Sequence, residues 1–297
     1  MGINQHSTEP DTNAQDTKKK IAVYTGKNVA HGEPLIRMRQ SFNDAAVGTV
    51  TGKDVKSGIA LDQDTLAFFL PGITTDHSPY YSELGDEGND KIREYVENGG
   101  VFIGGCAGAY YACDDILYDP PWLDAIKSTQ PGLNFFNGLA HGPLPNLAKE
   151  TGSPDWFEDC THTAIRYETK DGEEKQTNIV YGNGPMLIVD DKEEGKLNVI
   201  ARFEDVDGQP IAIATKKIGK GLAIFLGALP YYGADLYENT DSAHPLNRFI
   251  DAIKPFEDGR KELWDTVISI IEDHHAALAS QNSIKNTNEG LGKPKSP

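Results

Sequence analysis

The stretch GGVFIGGCAGAYYACDD, residues 99–115, places one cysteine between glycines, after an apolar run and before residues of helical character. Gly104, Cys106 and Gly108 fit the pattern Gly-x-nucleophile-x-Gly, in which the central residue occupies a sharp turn between a strand and a helix. A side chain at either glycine would collide with the neighbouring chain. The alternative interpretation is that Cys106 is a small buried residue beside a tight turn. In both cases the pattern predicts a helix that begins at Ala107.

A turn of this kind makes Cys106 a candidate nucleophile. The free N–H groups and the positive end of the helix dipole stabilise a thiolate, so we expect a thiol pKa below the ordinary value of about 8.5. The Ala107 N–H is then one expected donor to the oxygen of a tetrahedral intermediate. The second donor is expected in the loop at Gly72 and Ile73, which also leaves the carboxyl end of a strand.

Apolar segments alternate with helical ones in the first half of the chain. The segments KIAVYTG, TLAFFLPG and VFIGG are typical of strands, and NDKIREYVENGG is typical of a helix that ends at a glycine pair. Strands that are apolar throughout indicate a parallel sheet covered on both faces. From about Leu133 glycine-rich loops separate short strands, and PIAIATKKIGKGLAIFLG predicts a hairpin that turns at Gly219 to Gly221. These strands are expected to extend the sheet with antiparallel pairs.

Composition restricts the partners. The 297 residues carry a formal net charge of −17, which would repel nucleic acid and anionic membrane surfaces. No run of about 18 apolar residues occurs, and the first residues lack the apolar core of a secretory signal, so we expect a cytoplasmic protein that does not contact membranes. Three cysteines do not form a disulfide framework and are typical of a reducing compartment. The sequence specifies no oligomeric state.

The chain divides into one domain and two polar ends. Residues 1–17 contain almost nothing apolar, and residues 280–297 repeat that character, so both are predicted to be disordered tails. The domain is expected over residues 18–279. It includes a C-terminal helix whose apolar stripe, containing Leu263 and Val267, is predicted to pack on the rest of the domain.

Five motifs carry a resemblance to a known family: LPGITTDHSPYYSEL, KIREYVENGGVFIGGCAGAYYA, GLNFFNGLAHGP, IVYGNGP and IGKGLAIFLGALP. In this order they resemble the N-terminal domain of eukaryotic biotin–protein ligases and its stand-alone bacterial relatives, within the class I glutamine amidotransferase-like superfamily. The resemblance runs from about Ile21 to Tyr237. It implies a flavodoxin-like α/β fold, a mostly parallel sheet with helices on both faces and antiparallel extensions, with Cys106 at the nucleophile turn.

The sequence departs from active amidotransferases of that superfamily at the catalytic base. They pair the cysteine with a histidine and a carboxylate, usually within His-Pro-Glu, after the last hairpin. Here the matching place reads FLGALPYYGADLYE, and about Leu229 or Pro230 fills the histidine position. Neither can accept the thiol proton, and the nearby acids Asp235 and Glu238 could not complete the triad without a base.

Two histidines are candidates to replace that base. His77 lies in the loop after the strand that ends at Pro71, and His141 lies in the LAHGP segment, which resembles a family motif beside the pocket. The alternative for each is a loop histidine satisfied by solvent or backbone. The family's second oxyanion glycine is also replaced, by Ile73, which forbids a positive φ and narrows the mouth of the pocket.

Tyrosines lie close to the expected pocket. Tyr80, Tyr81, Tyr110 and Tyr111 are interpreted either as packing residues or as groups whose hydroxyls suit a small amide or ureido ligand. No cofactor is expected. The Cys160–His162 segment lacks two further ligands at a recognisable spacing, so no metal is expected there either. No Gly-Arg-Gly-Arg type adenylate loop occurs, so we do not expect this chain to biotinylate proteins by itself.

Three functions remain open from the sequence. The first is a cysteine-dependent amide hydrolase that acts through a Cys106 thioester. The second is a non-catalytic module that binds a small molecule or a protein and has lost turnover together with the histidine. A redox sensor that uses an activated Cys106 is a third interpretation.

Overall fold

The computed structural model describes residues 18–75, 78–128, 132–150, 156–237 and 246–290. Within them one large mixed sheet carries helices on both faces. Residues 1–17, which we predicted to be a disordered tail, lie outside the described residues.

The described residues form strands, α-helices and three 3-10 turns. The strands are β1 (Lys20–Tyr24), β2 (Val29–Ala30), β3 (Ala46–Val50), β4 (Thr65–Leu70), β5 (Gly72–Ile73), β6 (Val101–Gly105), β7 (Cys113–Tyr118), β8 (Ile126–Ser128), β9 (Phe136–Gly142), β10 (Thr161–Glu168), β11 (Glu174–Tyr181), β12 (Met186–Ile188), β13 (Asn198–Phe203), β14 (Ile211–Ile218) and β15 (Gly221–Leu226). The helices are α1 (Gly32–Ser41), α2 (Gly52–Lys56), α3 (Tyr80–Glu83), α4 (Gly85–Glu97), α5 (Ala107–Tyr111), α6 (Asp191–Glu194), α7 (Leu246–Ile253) and α8 (Glu257–Gly290). The 3-10 turns span Trp156–Asp159, Ala234–Tyr237 and Lys254–Phe256.

The sheet has a parallel part and a mixed part, in which most strands pair antiparallel but β7 and β9 pair in parallel. Its order is β3-β1-β4-β6-β15-β14-β12-β9-β7-β8, and β13, β10 and β11 branch from β14. The strands from β3 to β15 pair in parallel. The predicted hairpin forms between β14 and β15, where Ile218 pairs with Gly221. The α/β fold with antiparallel extensions is therefore confirmed.

The central strands are buried on both faces because helices cover both sides. Every residue of β6 and β15 is buried. Successive residues of β1 belong to opposite core clusters, Ile21 to one and Ala22 to the other. Leu263 and Val267 of α8 are fully buried in the first cluster, as predicted for the apolar stripe, and Ile92 of α4 is fully buried in the second.

Helix α8 is longer than expected. It continues to Gly290, whereas we placed the start of a disordered tail at Ser280. The hydroxyls of Ser280 and Ser283 donate to the backbone carbonyls of Ala276 and Ala279 one turn earlier. An established helix adds further residues at little cost, so polar composition alone does not mark its end. None of the helices in the described ranges combines the length and apolar character needed to span a membrane.

Two histidines connect α8 to the sheet. His274 Nε2 lies 3.0 Å from the Gly99 carbonyl oxygen, and His275 Nε2 lies 2.9 Å from that of Leu66. Each imidazole serves as the donor, because a carbonyl oxygen only accepts. Burial lowers the pKa of His275, although its hydrogen bond to Leu66 opposes that shift.

We predict that protonation of His275 destabilises the protein in mild acid. Its folded-state pKa lies below the ordinary value of 6.5, so the unfolded chain binds the proton more readily, and stability decreases as the pH falls below 6.5. Urea unfolding at pH 7 and pH 5 measures this. The His275→Gln variant should lose less stability between these pH values than the wild type. An unchanged dependence in His275→Gln would contradict the assignment.

Candidate functional site

The cysteine turn forms as the sequence predicts. Strand β6 ends at Gly105, α5 begins at Ala107, and Cys106 between them has φ 50° and ψ −108°. The Cys106 N–H donates to the Leu226 carbonyl at the end of β15, 2.9 Å away. The Gly108 N–H donates to the Pro71 carbonyl just after β4, at 3.2 Å. The turn thereby joins the carboxyl ends of three neighbouring strands.

The glycines are required by close backbone contacts. A Cβ on Gly108 would lie 2.0 Å from the Leu70 carbonyl oxygen, and a Cβ on Gly104 would lie 2.6 Å from that of Gly108. Both distances are too short for any side chain, and the atoms in the way belong to the backbone. The mechanical reason inferred for the two glycines is confirmed.

The thiol of Cys106 is held in its neutral form. Its Sγ donates to the Gly182 carbonyl oxygen at 3.2 Å. Burial raises the pKa of the Cys106 thiol to about 12, although a hydrogen bond from the Ala107 backbone opposes the shift. The expected lowering of this pKa is therefore wrong. Helix α5 has only five residues, and the dipole effect of a helix end is smaller than the cost of burying a thiolate among aromatic side chains.

A cavity of about 200 Å³ opens beside Cys106 and Ala107. Five aromatic side chains from α3, α5, the end of β7 and the segment after it line the cavity: Tyr81, Tyr110, Tyr111, Tyr118 and Trp122. Charged side chains of Lys149, Glu150 and Asp159 also line it. The cavity lies at the carboxyl ends of the parallel strands, where open α/β sheets bind their ligands.

Most of the predicted pocket residues meet at this cavity. Cys106, Ala107, Ile73 and Tyr110 line it. Gly72 lies directly against the cysteine, since a Cβ there would be 3.3 Å from the Cys106 Cβ. Tyr80 was expected to line the cavity, but it does not. Its side chain is completely buried, and its hydroxyl donates to the Pro71 carbonyl at 2.7 Å. The turn of α3 directs the side chain of its neighbour Tyr81 to the cavity instead.

The structure describes one of the two histidines that are candidates for the catalytic base. His141 lies in β9, opposite Met186 of β12 and Leu117 of β7, and it is not among the described residues that line the cavity. His77 lies outside the described residues and stays a prediction. Its described neighbours Thr75 and Ser78 both line the cavity.

Comparison with known proteins identifies the family. The sequence matches the family described as biotin-protein ligase, N terminal, over residues 21–289. The chain belongs to this family. The resemblance drawn from the sequence motifs is thereby confirmed.

Relatives of this biotin-protein ligase N-terminal domain include a whole protein and part of a larger one. An uncharacterized protein of Chlamydia muridarum is 25% identical over 265 residues, which cover 86% of this chain and 98% of the relative. A biotin–protein ligase of Schizosaccharomyces pombe is 25% identical over 169 residues, which cover 52% of this chain but 24% of the ligase.

Among solved structures, PurLQS of Thermotoga maritima aligns with a TM-score of 0.49 and 16% identity, over 86% of this chain and 99% of its own. A glutamine amidotransferase of the same organism aligns with a TM-score of 0.48 and 9% identity, over 86% and 98%.

In this family member two buried arginines hold the segment after β15, where the resemblance places the triad histidine. Arg37 Nε donates to the Tyr231 carbonyl at 2.9 Å, and Arg260 Nη1 donates to the Pro230 carbonyl at 2.7 Å. Arg37 also forms a bidentate pair with Asp235, with distances of 2.7 and 2.5 Å. Asp235 thus binds arginine, and Leu229 is buried with its N–H donating to the Val180 carbonyl. Glu238 and His244 lie outside the described residues.

The YGNGP loop forms one side of the cavity. Asn183 has a φ of 60°, and its side-chain amide exchanges hydrogen bonds with the Lys149 backbone at 3.0 and 3.4 Å. Its own carbonyl accepts a hydrogen bond from the Tyr110 hydroxyl at 3.2 Å. These contacts keep the Gly182 carbonyl over the cysteine. Gly182 and Asn183 themselves line the cavity.

Several lining residues were missed by sequence reasoning, chiefly Tyr118, Trp122 and the charged side chains. Trp122 follows β7 within a Pro-Pro-Trp turn, and a position just past a strand end was the available signal. Lys149 and Glu150 immediately precede residues 151–155, which lie outside the described residues, and they belong to no recognisable sequence motif.

We predict that Arg37→Met costs about 2–3 kcal/mol of unfolding free energy, because the Tyr231 carbonyl and Asp235 both lose their donor. Arg39→Met on the same helix is the matched control. Arg39 is exposed and only approaches the Val47 carbonyl at 3.4 Å, so its loss should change stability by no more than about 0.5 kcal/mol. Urea denaturation of both variants measures the difference. Equal losses of stability in the two variants would contradict a stabilising role for the buried pair between Arg37 and Asp235.

Proposed function

We propose that this domain is a small-molecule binding module, and that Cys106 forms part of the wall of its ligand cavity. The observation that carries the proposal is the state of the thiol. It is neutral, donates to the Gly182 carbonyl and faces a preformed cavity lined by aromatic side chains.

The raised pKa of Cys106 opposes nucleophilic attack. The thiolate is the reactive form, and a pKa of about 12 leaves on the order of one thiolate per 10⁵ molecules at pH 7. A base could compensate by removing the proton during attack. None of the described residues that line the cavity is a histidine. This same pKa also disfavours the redox-sensor interpretation, which requires an activated thiolate.

The shape and lining of the cavity support ligand binding. Small-molecule sites are concave and mostly apolar, with a few polar groups that orient the ligand. Here five aromatic side chains are combined with Lys149, Glu150 and Asp159. A small amide is the ligand class that we propose, because tyrosine and tryptophan side chains offer both flat apolar surface and hydrogen-bond donors.

The second candidate is the amide hydrolase that acts through a Cys106 thioester. The positive φ at Cys106 favours it, since strained backbone often marks active sites. In this reaction Sγ would bond to the amide carbon, its proton would pass through His77 to the leaving amine, and water would then cleave the thioester. The Ala107 N–H and the backbone at Gly72 and Ile73 would stabilise the oxyanion.

We predict that Cys106→Ala binds benzamide and nicotinamide with dissociation constants within about threefold of the wild type, because a neutral thiol in the wall adds little beyond its volume. Calorimetric titration measures the binding. With glutamine as a probe of turnover, we expect no ammonia release above that of Cys106→Ala. Cys113→Ala, which removes a buried thiol that does not line the cavity, is the control.

Ammonia release by the wild type and Cys113→Ala, but not by Cys106→Ala, would establish the hydrolase instead. Absence of binding for every small amide tested would overturn the binding proposal.

A further inference from the structure

The side chain of Ile116 lines the cavity from strand β7. It is half-buried and packs against the core cluster that contains Ala107 and Tyr110, two residues that line the same cavity. Successive side chains of a strand point to opposite faces, so Ile116 and Tyr118 share one face of β7. Tyr118 packs edge to face on Tyr110 of α5, with ring centroids 5.8 Å apart. Ile116 therefore lies on the face of β7 that is turned toward α5 and the cavity.

The backbone of Ile116 is held from both sides. Ile116 pairs with Ala140 of β9 and with Ser128 of β8, so it lies within the sheet rather than in a loop. A β-branched side chain also has few accessible rotamers. By contrast Ile73, the other large aliphatic residue among the described residues that line the cavity, belongs to the two-residue strand β5. A ligand cannot move Ile116 aside without disturbing two strand pairs.

The volume of the cavity leaves little room beyond one ring. It measures about 200 Å³, and an engineered cavity of roughly 150 Å³ accommodates benzene. The difference is enough for an amide group on the ring but not for a second fused ring as well. The rigid side chains in the cavity wall then decide which ligands are too large.

We propose that Ile116 determines the size of the ligand, so that the cavity accepts an amide on a single ring and excludes an amide on two fused rings. The proposal rests on the binding function proposed above and names the residue that sets its specificity. A shorter side chain at this position extends the cavity, and a larger one fills it. One methylene group in an apolar pocket changes affinity by about tenfold or more, so the replacement of one side chain is sufficient to alter the selection.

The test compares benzamide with 2-naphthamide, which carries the same amide group on two fused rings. Calorimetric titration of the wild type should show 2-naphthamide binding at least about tenfold more weakly than benzamide. Ile116→Ala should bind 2-naphthamide about tenfold more tightly than the wild type does. The same variant should bind benzamide about threefold more weakly, because a gap beside the single ring loses dispersion contacts.

Leu117→Ala is the matched control. Leu117 is the next residue of β7 and is also half-buried, but it lies on the opposite face and does not line the cavity. Its truncation weakens the packing of the same strand without changing the volume of the cavity. Both dissociation constants should therefore stay within about twofold of the wild-type values.

Ile116→Phe tests the proposal in the other direction. The larger side chain fills the cavity, so benzamide should bind this variant at least about tenfold more weakly than the wild type. Urea unfolding shows which variants are folded. If Ile116→Ala does not fold, the affinity of Ile116→Phe for benzamide decides the question.

Three results would overturn this inference and leave the binding module intact. They are equal binding of the two amides to the wild type, no gain of 2-naphthamide binding in a folded Ile116→Ala or an equal gain in Leu117→Ala, and wild-type affinity for benzamide in Ile116→Phe. Binding of other small amides but of neither of these two would also overturn the size limit stated here. A wild-type protein that binds no small amide would overturn both proposals.

Discussion

The contact between Gly108 and the end of β4 is the constraint on which the site depends. The backbone of α5 passes so close to Leu70 that a Cβ on Gly108 would lie 2.0 Å from the Leu70 carbonyl oxygen. This closeness allows the Gly108 N–H to reach the Pro71 carbonyl, while the Cys106 N–H reaches Leu226 of β15. The ends of three parallel strands are thus fixed around a single residue, and Cys106 takes a positive φ as a result. The cavity opens beside this turn.

The same geometry raises the pKa of the Cys106 thiol. A turn between strand and helix presents a cysteine to N–H groups, which lowers a thiol pKa in an open, cationic setting. Here the thiol donates a hydrogen bond to the Gly182 carbonyl, which stabilises the protonated form of the sulfur. Burial therefore has a larger effect on the pKa of the Cys106 thiol than the short helix α5 has. Arg37 and Arg260 hold the backbone of the segment in which the resemblance places the triad histidine.

The sequence predicted those features of the fold that depend on steric contacts between residues close together in the chain. Apolar strands, the glycines around Cys106 and the hairpin before Gly221 each have a reason within a few residues of chain, and all formed as predicted. The exchange of Tyr80 for Tyr81 shows the limit, because one residue of helix rotation decides which ring faces the cavity. The position of Trp122 and the pKa of the Cys106 thiol depend on contacts between segments that are distant in sequence, and no sequence motif indicates such contacts. The end of α8 was missed because helix continuation does not require apolar residues.

The most direct test of the account is the pH dependence of Cys106 alkylation by iodoacetamide, followed by mass spectrometry with Cys113 and Cys160 as internal references. A neutral thiol with a pKa of about 12 predicts a rate that keeps rising without a plateau up to pH 10 and stays below that of an ordinary exposed thiol at pH 7. A rate that levels off below pH 8 would show an activated thiolate, and would contradict the view that this turn forms a binding wall rather than a nucleophile.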